Sequence, residues 1–375
     1  MRHLSKPIKI LQVYGSLSRG GAETWLMDIM RNTSRQEFQF DVCLVREIEG
    51  AYQEEFKDLG GRVHFCPLSK NLWSFSRRFK KILRTEGYDI LHSHLYYFSG
   101  FLLRQAFQAG ISKRVAHIHP AEDFKADKAF RRLYAFWMKR WIVLYGTGFV
   151  GPTKASLKNF WGPEWQKDES KKVIYNCVDV KRFSKKIDTT KIHGQLRIPE
   201  GAKIVLNVSR YSPHKRHEFL VEVAGHVLSK RKDVYFVLIG AGDLKGVIEG
   251  KVREKRLSEN FRFISGAPSI DQYYLASDVF AFPSCNEGFG IVIAEAALAG
   301  LKVIAQDIPG VREAAEVCPD VVLLPMDTSP DSWALKLLSV LNEPKIEEKR
   351  YKMFLRQFPF TIENSISTLR EVYGV

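Results

Sequence analysis

The chain has 375 residues, a length that favours two domains. Of these residues 45% are hydrophobic and 26% are charged, which is typical of a soluble globular protein. No apolar run reaches about 18 residues, which excludes a transmembrane helix. The five cysteines are scattered without CxxC spacing, and the N-terminus lacks a signal-peptide pattern. We therefore expect a cytoplasmic protein without a disulfide framework or a zinc knuckle.

Positive charge is concentrated in the first half of the chain. The net charge is +15, and residues 1–180 carry +11 of it, with 29 Lys and Arg against 18 Asp and Glu. A basic surface of this size implies an anionic partner, which could be nucleic acid, an anionic membrane or a phosphorylated substrate.

Predicted strands alternate with helices through both halves, which indicates an α/β fold with doubly wound, mainly parallel sheets. The strands predicted in the first half are Ile8–Tyr14, Gln39–Val45, Arg62–Cys66, Asp89–His94, Lys113–His119, Gly148–Pro152 and Lys172–Tyr175. Those predicted in the second half are Lys203–Val208, Val234–Gly240, Phe261–Ile264, Val279–Phe282, Lys302–Ala305 and Val321–Leu324. The polar stretch Ser184–Leu196 is typical of a linker, so we place the domain boundary near residue 180.

Two glycines follow the first predicted strand. Gly20 and Gly21 stand where a helix over Ala22–Met30 begins, and a backbone N–H group there could approach a phosphate closely. The pattern is not G-x-G-x-x-G, and a plain turn from strand to helix explains it equally well.

Two His-x-His pairs end neighbouring predicted strands: His92 with His94, and His117 with His119. Ligand-binding positions in open α/β sheets lie at the carboxyl ends of strands, which favours His119. A metal site built from all four is conceivable but lacks carboxylate support, and hydrogen-bonded histidines are the commoner alternative.

Residues 125–145 mix cations and aromatic side chains at high density. Such a segment suits a membrane interface, with Lys and Arg at the headgroups and Trp and Phe at the acyl boundary. The alternative is a large helix whose aromatic residues pack on the sheet while its cations stay in water.

A second-half loop carries Arg210 and Lys215 between a strand and a helix. Together a bidentate guanidinium and a compact ammonium can neutralise a diphosphate, whereas the alternative is two solvated surface cations. The nearby Gly240–Gly242 pattern is weak evidence for a dinucleotide and fits a turn equally well.

The segment Val279–Gly300 is a predicted strand, loop and helix that contains two carboxylates, Glu287 and Glu295. Free N–H groups near Gly288–Ile291 form a natural seat for a phosphate, and the carboxylates suit hydroxyl groups, so the ligand indicated is a nucleotide sugar. Alternatively, Glu287 caps the helix and Glu295 is solvated on its outer face.

The E-x7-E pattern within PSCNEGFGIVIAEA resembles that of the retaining glycosyltransferases of family 4, and the likeness spans nearly the whole chain. Within that family it is closest to bacterial enzymes of exopolysaccharide and capsule synthesis. The resemblance implies the GT-B fold, two Rossmann-like domains with the active site in the cleft between them. Residues 1–180 would bind the acceptor, residues 181–357 the nucleotide sugar, and residues 358–375 would form a helix crossing back to the first domain.

The resemblance also assigns roles to individual residues. His119 would hydrogen-bond the transferred sugar, while Gly21 and the pair Arg210 and Lys215 would face the donor diphosphate. The catalytic candidates are His119, Glu287, Arg210 and Lys215, and the donor-binding candidates are Gly21, Arg210, Lys215, Glu287, Gly288, Phe289, Gly290 and Glu295. The chain lacks an Asp-x-Asp motif suited to a catalytic metal, so we expect no metal and no cofactor.

The expected activity is retaining, metal-independent transfer from a nucleotide sugar, expected to be a UDP-sugar, to a lipid-linked or saccharide acceptor of cell-surface polysaccharide synthesis. The basic first domain would then dock on an anionic membrane, placing the enzyme at the inner face of the cell membrane. One alternative is a nucleotide-sugar epimerase of the same architecture. The other is a nucleic-acid-binding protein, but no recognised module is visible and we expect no nucleic-acid partner.

Overall fold

The computed structural model describes residues 6–18, 20–69, 71–119, 129–184, 187–266, 269–344 and 347–375, with the side chains of the helix that begins at residue 129 described from residue 131. The chain divides into two compact units. The first unit comprises Met1–Cys177 and Ile362–Val375, and the second unit comprises Val178–Thr361.

Each unit is built on a parallel sheet, so the predicted fold class is confirmed. The strands of the first unit are β1 (Ile8–Tyr14), β2 (Phe38–Leu44), β3 (Val63–Phe65), β4 (Ile90–Ser93), β5 (Lys113–His117), β6 (Gly148–Gly151) and β7 (Lys171–Val173). Those of the second unit are β8 (Lys203–Val208), β9 (Val234–Ile239), β10 (Phe261–Ile264), β11 (Val279–Phe282), β12 (Lys302–Gln306) and β13 (Val321–Leu324). The strand orders are β3-β2-β1-β4-β5-β6-β7 and β10-β9-β8-β11-β12-β13.

Helices connect the strands of each unit. Those of the first unit are α1 (Gly21–Asn32), α2 (Gln53–Asp58), α3 (Leu72–Glu86), α4 (Ser99–Gln108), α5 (Ala129–Tyr145) and α6 (Lys154–Trp161), with α15 (Ile362–Tyr373) at the chain end. Those of the second unit are α7 (Thr189–Leu196), α8 (His217–Lys230), α9 (Lys245–Glu254), α10 (Asp271–Leu275), α11 (Ile291–Leu298), α12 (Pro309–Ala315), α13 (Pro330–Asn342) and α14 (Glu348–Gln357).

The strand order reverses direction once in each sheet, and this reversal positions the candidate sites. In the first unit β1 lies beside β4, and in the second unit β8 lies beside β11. Chain connections leave such neighbouring strands in opposite directions, which opens a crevice outside their carboxyl ends. The loops after β1 and β4, and after β8 and β11, are therefore where a ligand is expected.

The core follows the alternation of apolar residues along the strands. In β1, Ile10 packs in one buried cluster and Leu11 in another, so the first sheet is covered on both faces. In α3, a helical spacing buries Phe75, Phe79 and Leu83, and Gly87 ends the helix in the left-handed conformation (φ 63°).

The sequence prediction was wrong for the stretch taken as a linker. Helix α7 occupies its second half, where Asp188 caps the helix by accepting a hydrogen bond from the Lys191 amide at 3.3 Å. Ile192 is the residue of this helix that is buried. Two apolar side chains, Ile192 and Leu196, among polar neighbours gave too weak a periodic signal to predict the helix.

Candidate functional site

Gly21 begins α1 directly after the turn that follows β1. Gly20 is the N-cap residue, and no side-chain hydrogen bond caps the helix there. A Cβ atom on Gly21 would lie 3.1 Å from Nδ2 of Asn176, which is tight for any larger residue. The Glu23 carboxylate lies over Gly20, and a diphosphate bound here would have to displace it.

The two His-x-His pairs come together at the carboxyl ends of β4 and β5. The His92 and His94 rings are stacked with centroids 4.5 Å apart, and those of His117 and His119 are stacked at 4.2 Å. The two stacks also meet, since the His94 and His119 centroids are 5.2 Å apart. We call these four residues the histidine cluster. His119 lies just beyond the end of β5, which stops two residues earlier than predicted.

The histidine cluster is neutral at physiological pH. Burial lowers the pKa of His92 to about 3 and that of His119 to about 4. Burial and the neighbouring imidazoles hold the pKa values of His94 and His117 well below the usual value. His119 therefore offers a substrate one hydrogen-bond donor or acceptor rather than a positive charge.

Nitrogen atoms of His92, His94 and His117 lie within 4.8 Å of one another. Both nitrogens of His94 already make hydrogen bonds, to His119 at 2.9 Å and to Gln12 at 2.8 Å. Coordination of a metal ion by this trio would break one of those bonds and rotate stacked rings, so the arrangement does not fit a preformed metal site.

In the second unit, Lys215 and Glu287 form an ion pair where β8 and β11 end. Glu287 Oε1 accepts hydrogen bonds from Lys215 Nζ and from Ser284 Oγ, the latter at 2.6 Å. The two charged side chains are only 15% and 13% exposed. Among the described residues no donor bonds the second oxygen, Oε2, so it remains available to a ligand hydroxyl. Glu287 does not cap α11, because no side chain caps that helix.

Glu295 is buried, so the alternative of a solvated carboxylate on the outer face of the helix is wrong. Its side chain is 9% exposed, and Oε2 accepts a hydrogen bond from the Tyr274 hydroxyl at 2.9 Å. Burial raises the pKa of Tyr274, and the Glu295 carboxylate raises it further. The phenol therefore keeps its proton and remains a hydrogen-bond donor. Tyr274 thus fixes the orientation of the Glu295 carboxylate.

The glycine-rich loop before α11 is shaped by close packing. Gly290 adopts the left-handed conformation (φ 66°) at the N-cap position. The Phe289 ring is buried against Phe360 with centroids 4.7 Å apart, so its side chain anchors the loop. A Cβ atom on Gly310 would lie 2.4 Å from the Glu287 carbonyl oxygen. The start of α12 therefore packs directly against the backbone of the loop.

Arg210 is exposed at the start of the loop that follows β8. The Gly240–Gly242 turn supports this loop, because a Cβ atom on Gly240 would lie 2.0 Å from the Ser209 carbonyl oxygen and one on Gly242 2.5 Å from that of Tyr211. The alternatives for these glycines were a dinucleotide site and a turn. In the structure they form a turn that packs against the neighbouring loop.

The candidates thus form two groups, one in each unit. The loops that follow the carboxyl ends of β8 and β11 carry most of the second group: Arg210, Lys215, Glu287, Gly288 and Gly290. The buried Glu295 follows in α11. Sequence reasoning missed three supporting residues, Ser284, Tyr274 and Gly310. For Ser284 the available signal was its position three residues before Glu287, because side chains that close in the chain can meet in a loop.

Helix α5 carries exposed aromatic and basic side chains. We call the surface formed by Arg132, Phe136, Trp137 and Arg140 the α5 face. Phe136 is 60% exposed and Trp137 47% exposed, while Met138 and Ile142 are the residues buried against the rest of the unit. The expectation that the aromatic residues pack on the sheet is therefore wrong for these two. Residues 125–128 of the predicted segment lie outside the described residues. Within the described part of the chain, no helix has the length and apolarity needed to cross a membrane.

Comparisons with known proteins place the two halves in related families. The family described as "Glycosyltransferase Family 4" matches residues 19–182, and that described as "Glycosyl transferases group 1" matches residues 188–354. The matches adjoin near residue 185.

Full-length relatives show the same relationship. The chain is 26% identical over 372 residues to the "Putative glycosyltransferase EpsF" of Bacillus subtilis, covering 98% of this chain and 96% of that protein. It is 24% identical over 379 residues to the "Capsular polysaccharide biosynthesis glycosyltransferase CapH" of Staphylococcus aureus, covering 98% of both chains. The solved structure of Anabaena Alr3699/HepE in complex with UDP-glucose superposes with a TM-score of 0.78 at 19% identity, covering 98% of this chain and 99% of that one.

Proposed function

The chain belongs to the family 4 glycosyltransferases, and we propose that it moves a sugar from a UDP-sugar to a lipid-linked or saccharide acceptor. It is a glycosyltransferase of the GT-B type in polysaccharide biosynthesis, the process for which its relative CapH is named. The choice of a UDP-sugar is supported by the nucleotide sugar bound to HepE, which has the same fold.

The observation that carries the proposal is the Lys215–Glu287 pair at the strand-order reversal of the second sheet. One ammonium and one carboxylate are both mostly buried, and Ser284 donates a hydrogen bond to the carboxylate. They present opposite charges at a position where nucleotides bind in open α/β sheets. Lys215, together with Arg210 on the same loop, suits a diphosphate. The free Oε2 of Glu287 suits a sugar hydroxyl.

The proposed reaction retains the configuration of the sugar. The bond between the anomeric carbon and the diphosphate oxygen breaks, and the acceptor oxygen forms its bond on the same face. The acceptor proton passes to the departing diphosphate, which leaves as UDP. Arg210 and Lys215 stabilise the negative charge that develops on that leaving group, and no metal ion takes part.

In the first unit, we propose that His119 supplies a neutral hydrogen-bonding group for the transferred sugar and that the helix start at Gly21 binds the donor diphosphate. The acceptor side of the reaction is proposed to be at a membrane. The α5 face combines exposed Phe136 and Trp137 with the exposed cations Arg132 and Arg140, which is the composition that binds an anionic lipid surface. A lipid-linked acceptor would be presented at such a surface.

The test is transfer of radiolabelled glucose from UDP-glucose to membrane lipid extracts and to soluble oligosaccharides, in the presence of EDTA. We expect a labelled lipid product whose anomeric configuration, read by NMR spectroscopy, is that of the donor. Glu287→Ala should abolish transfer and keep the wild-type circular dichroism spectrum. The matched control is Glu254→Ala, at an exposed glutamate at the end of α9, which should transfer normally.

Full activity in the Glu287→Ala variant would overturn the site. An inverted product would overturn retention, and loss of transfer in EDTA would overturn metal independence. An epimerised nucleotide sugar formed without any acceptor would replace transfer by the epimerase alternative.

A further inference from the structure

Gln12 is a polar residue at the centre of the otherwise apolar strand β1. Its side chain is fully buried, and both ends of its amide are hydrogen-bonded. Oε1 lies 2.8 Å from His94 Nε2, and Nε2 donates to the hydroxyl oxygen of Tyr373 at 3.2 Å. Tyr373 belongs to α15, the helix at the chain end, so that helix takes part in the polar network of the first unit.

The hydrogen-bond roles follow from chemistry. An amide oxygen only accepts, so His94 Nε2 carries a hydrogen and donates it to Gln12. Because His94 is neutral, its other nitrogen, Nδ1, is bare and accepts. The partner of Nδ1 is Nε2 of His119 at 2.9 Å, which must therefore carry the hydrogen.

The same reasoning reaches the free nitrogen of His119. A neutral imidazole carries one hydrogen, and in His119 that hydrogen is on Nε2. Its Nδ1 is therefore bare and makes no hydrogen bond to any residue that the structure describes. Reversing the Gln12 amide would reverse every donor and acceptor in the series, so only two consistent states exist and the amide orientation selects between them.

We infer that Gln12 and His94 are positioning residues that hold His119 in the tautomer with a bare Nδ1, while the Tyr373 hydroxyl accepts a hydrogen bond from the Gln12 amide nitrogen. His119 then accepts a hydrogen bond from a sugar hydroxyl instead of donating one. A sugar that lacks this hydroxyl, or carries fluorine in its place, loses the contact because fluorine cannot donate. The inference rests on the proposed function only in taking a sugar hydroxyl as the ligand.

The decisive experiment reads the tautomer directly. The full chain is labelled with ¹⁵N-histidine, and a long-range ¹H–¹⁵N correlation spectrum at pH 7.5 distinguishes protonated from bare ring nitrogens. Loss of one set of signals in His119→Asn assigns His119. We expect wild-type His119 to be protonated on Nε2, and Gln12→Met, which cannot accept, to shift His119 towards a mixture of tautomers.

The matched control is Gln105→Met. Gln105 is also a buried glutamine of the first unit that accepts a hydrogen bond, from Ser76, but it is not part of the histidine cluster. It should leave the His119 signals unchanged. If Gln12→Met fails to fold, Tyr373→Phe removes the hydroxyl that accepts from the Gln12 amide nitrogen and should also shift His119 towards a mixture of tautomers.

A protonated Nδ1 in wild-type His119, or an unchanged tautomer in both variants, would overturn the inference. This spectrum needs no substrate, so it separates failure of the inference from failure of the proposed function. With UDP-glucose, Gln12→Met should lower the turnover number about tenfold, the value of one hydrogen bond, and leave nucleotide affinity unchanged. Equal turnover in the two glutamine variants would also contradict it.

Discussion

Lys215 and Glu287 lie 72 residues apart in the chain, yet their side chains form one ion pair where β8 and β11 end side by side. The Lys215 ammonium also lies 5.4 Å from the centre of the Phe282 ring, so an aromatic face supports the pair from within the sheet. A partly desolvated pair of this kind is weak evidence for stability, since desolvation offsets much of the attraction. Its position at the reversal of strand order points to a binding role instead.

Gly310→Ala should weaken donor binding, although alanine usually favours a helix. The new Cβ atom would lie 2.4 Å from the Glu287 carbonyl oxygen and 2.8 Å from that of Gly288, so the loop must move. We expect a loss of about 1–3 kcal/mol in unfolding free energy and weaker nucleotide binding in calorimetry. Gly250→Ala in α9 is the matched control, because its nearest neighbour lies 4.0 Å away. That variant should gain about 0.5–1 kcal/mol and bind normally. Wild-type stability and affinity in Gly310→Ala would show that the loop is not held there.

The histidine cluster should make the first unit sensitive to acid. The folded-state pKa values are lowered, to about 3 for His92 and about 4 for His119, so between those values and about 6.5 the unfolded chain binds protons that the folded chain does not. Unfolding free energy should therefore fall as the pH falls below about 6.5, by about 1.4 kcal/mol per pH unit for each such histidine. Urea unfolding at pH 7, 6 and 5, followed by tryptophan fluorescence, measures this slope, since six of the seven tryptophans lie in the first unit.

His117→Phe should reduce that slope. Both ring nitrogens of His117 are buried without a hydrogen-bond partner in the described structure, so an apolar ring removes a desolvation cost and one protonation site. At pH 7 we expect equal or higher stability than in the wild type. The control is His226→Gln in the second unit, whose side chain is 46% exposed and which should leave the slope unchanged. An equal slope in His117→Phe and the wild type would contradict the proposed neutral state.

The α5 face should bind anionic vesicles. Replacing both Phe136 and Trp137 by serine should lower binding to phosphatidylglycerol vesicles about tenfold in co-sedimentation, because apolar insertion is lost while the cations remain. Leu335→Ser, at an exposed leucine of α13, should bind as the wild type does. If the double variant binds as strongly as the wild type, the membrane affinity comes from charge alone. If the wild type does not bind the vesicles, the α5 face is not a docking site.

The sequence predicted the strands better than the contacts between them. Strands such as Ile8–Tyr14 and Lys203–Val208 were predicted at their observed bounds, because buried parallel strands are short apolar runs with clear ends. The candidate charges at Lys215 and Glu287 were found individually, but their pairing depends on strand order. Sequence spacing carries no information about that order.

The supporting residues were harder to predict for a different reason. Gln12 received no role from the sequence, since its partner Tyr373 lies at the far end of the chain. Tyr274 received none either, although its hydroxyl group donates to Glu295. A buried polar group needs a partner, so a glutamine within an apolar strand is a signal that further sequence reasoning could use.

The most direct test of the account is calorimetric titration with UDP, GDP and ADP, without added metal, of the wild type, Lys215→Ala and Lys232→Ala. Lys232 is exposed just before β9, at the opposite end of the same sheet, and serves as the matched control. We expect the wild type and Lys232→Ala to bind UDP selectively. The UDP affinity of Lys215→Ala should be at least about tenfold lower. Equal UDP affinity in all three proteins, or no nucleotide binding by the wild type, would contradict the assignment of the donor site to this edge of the second unit.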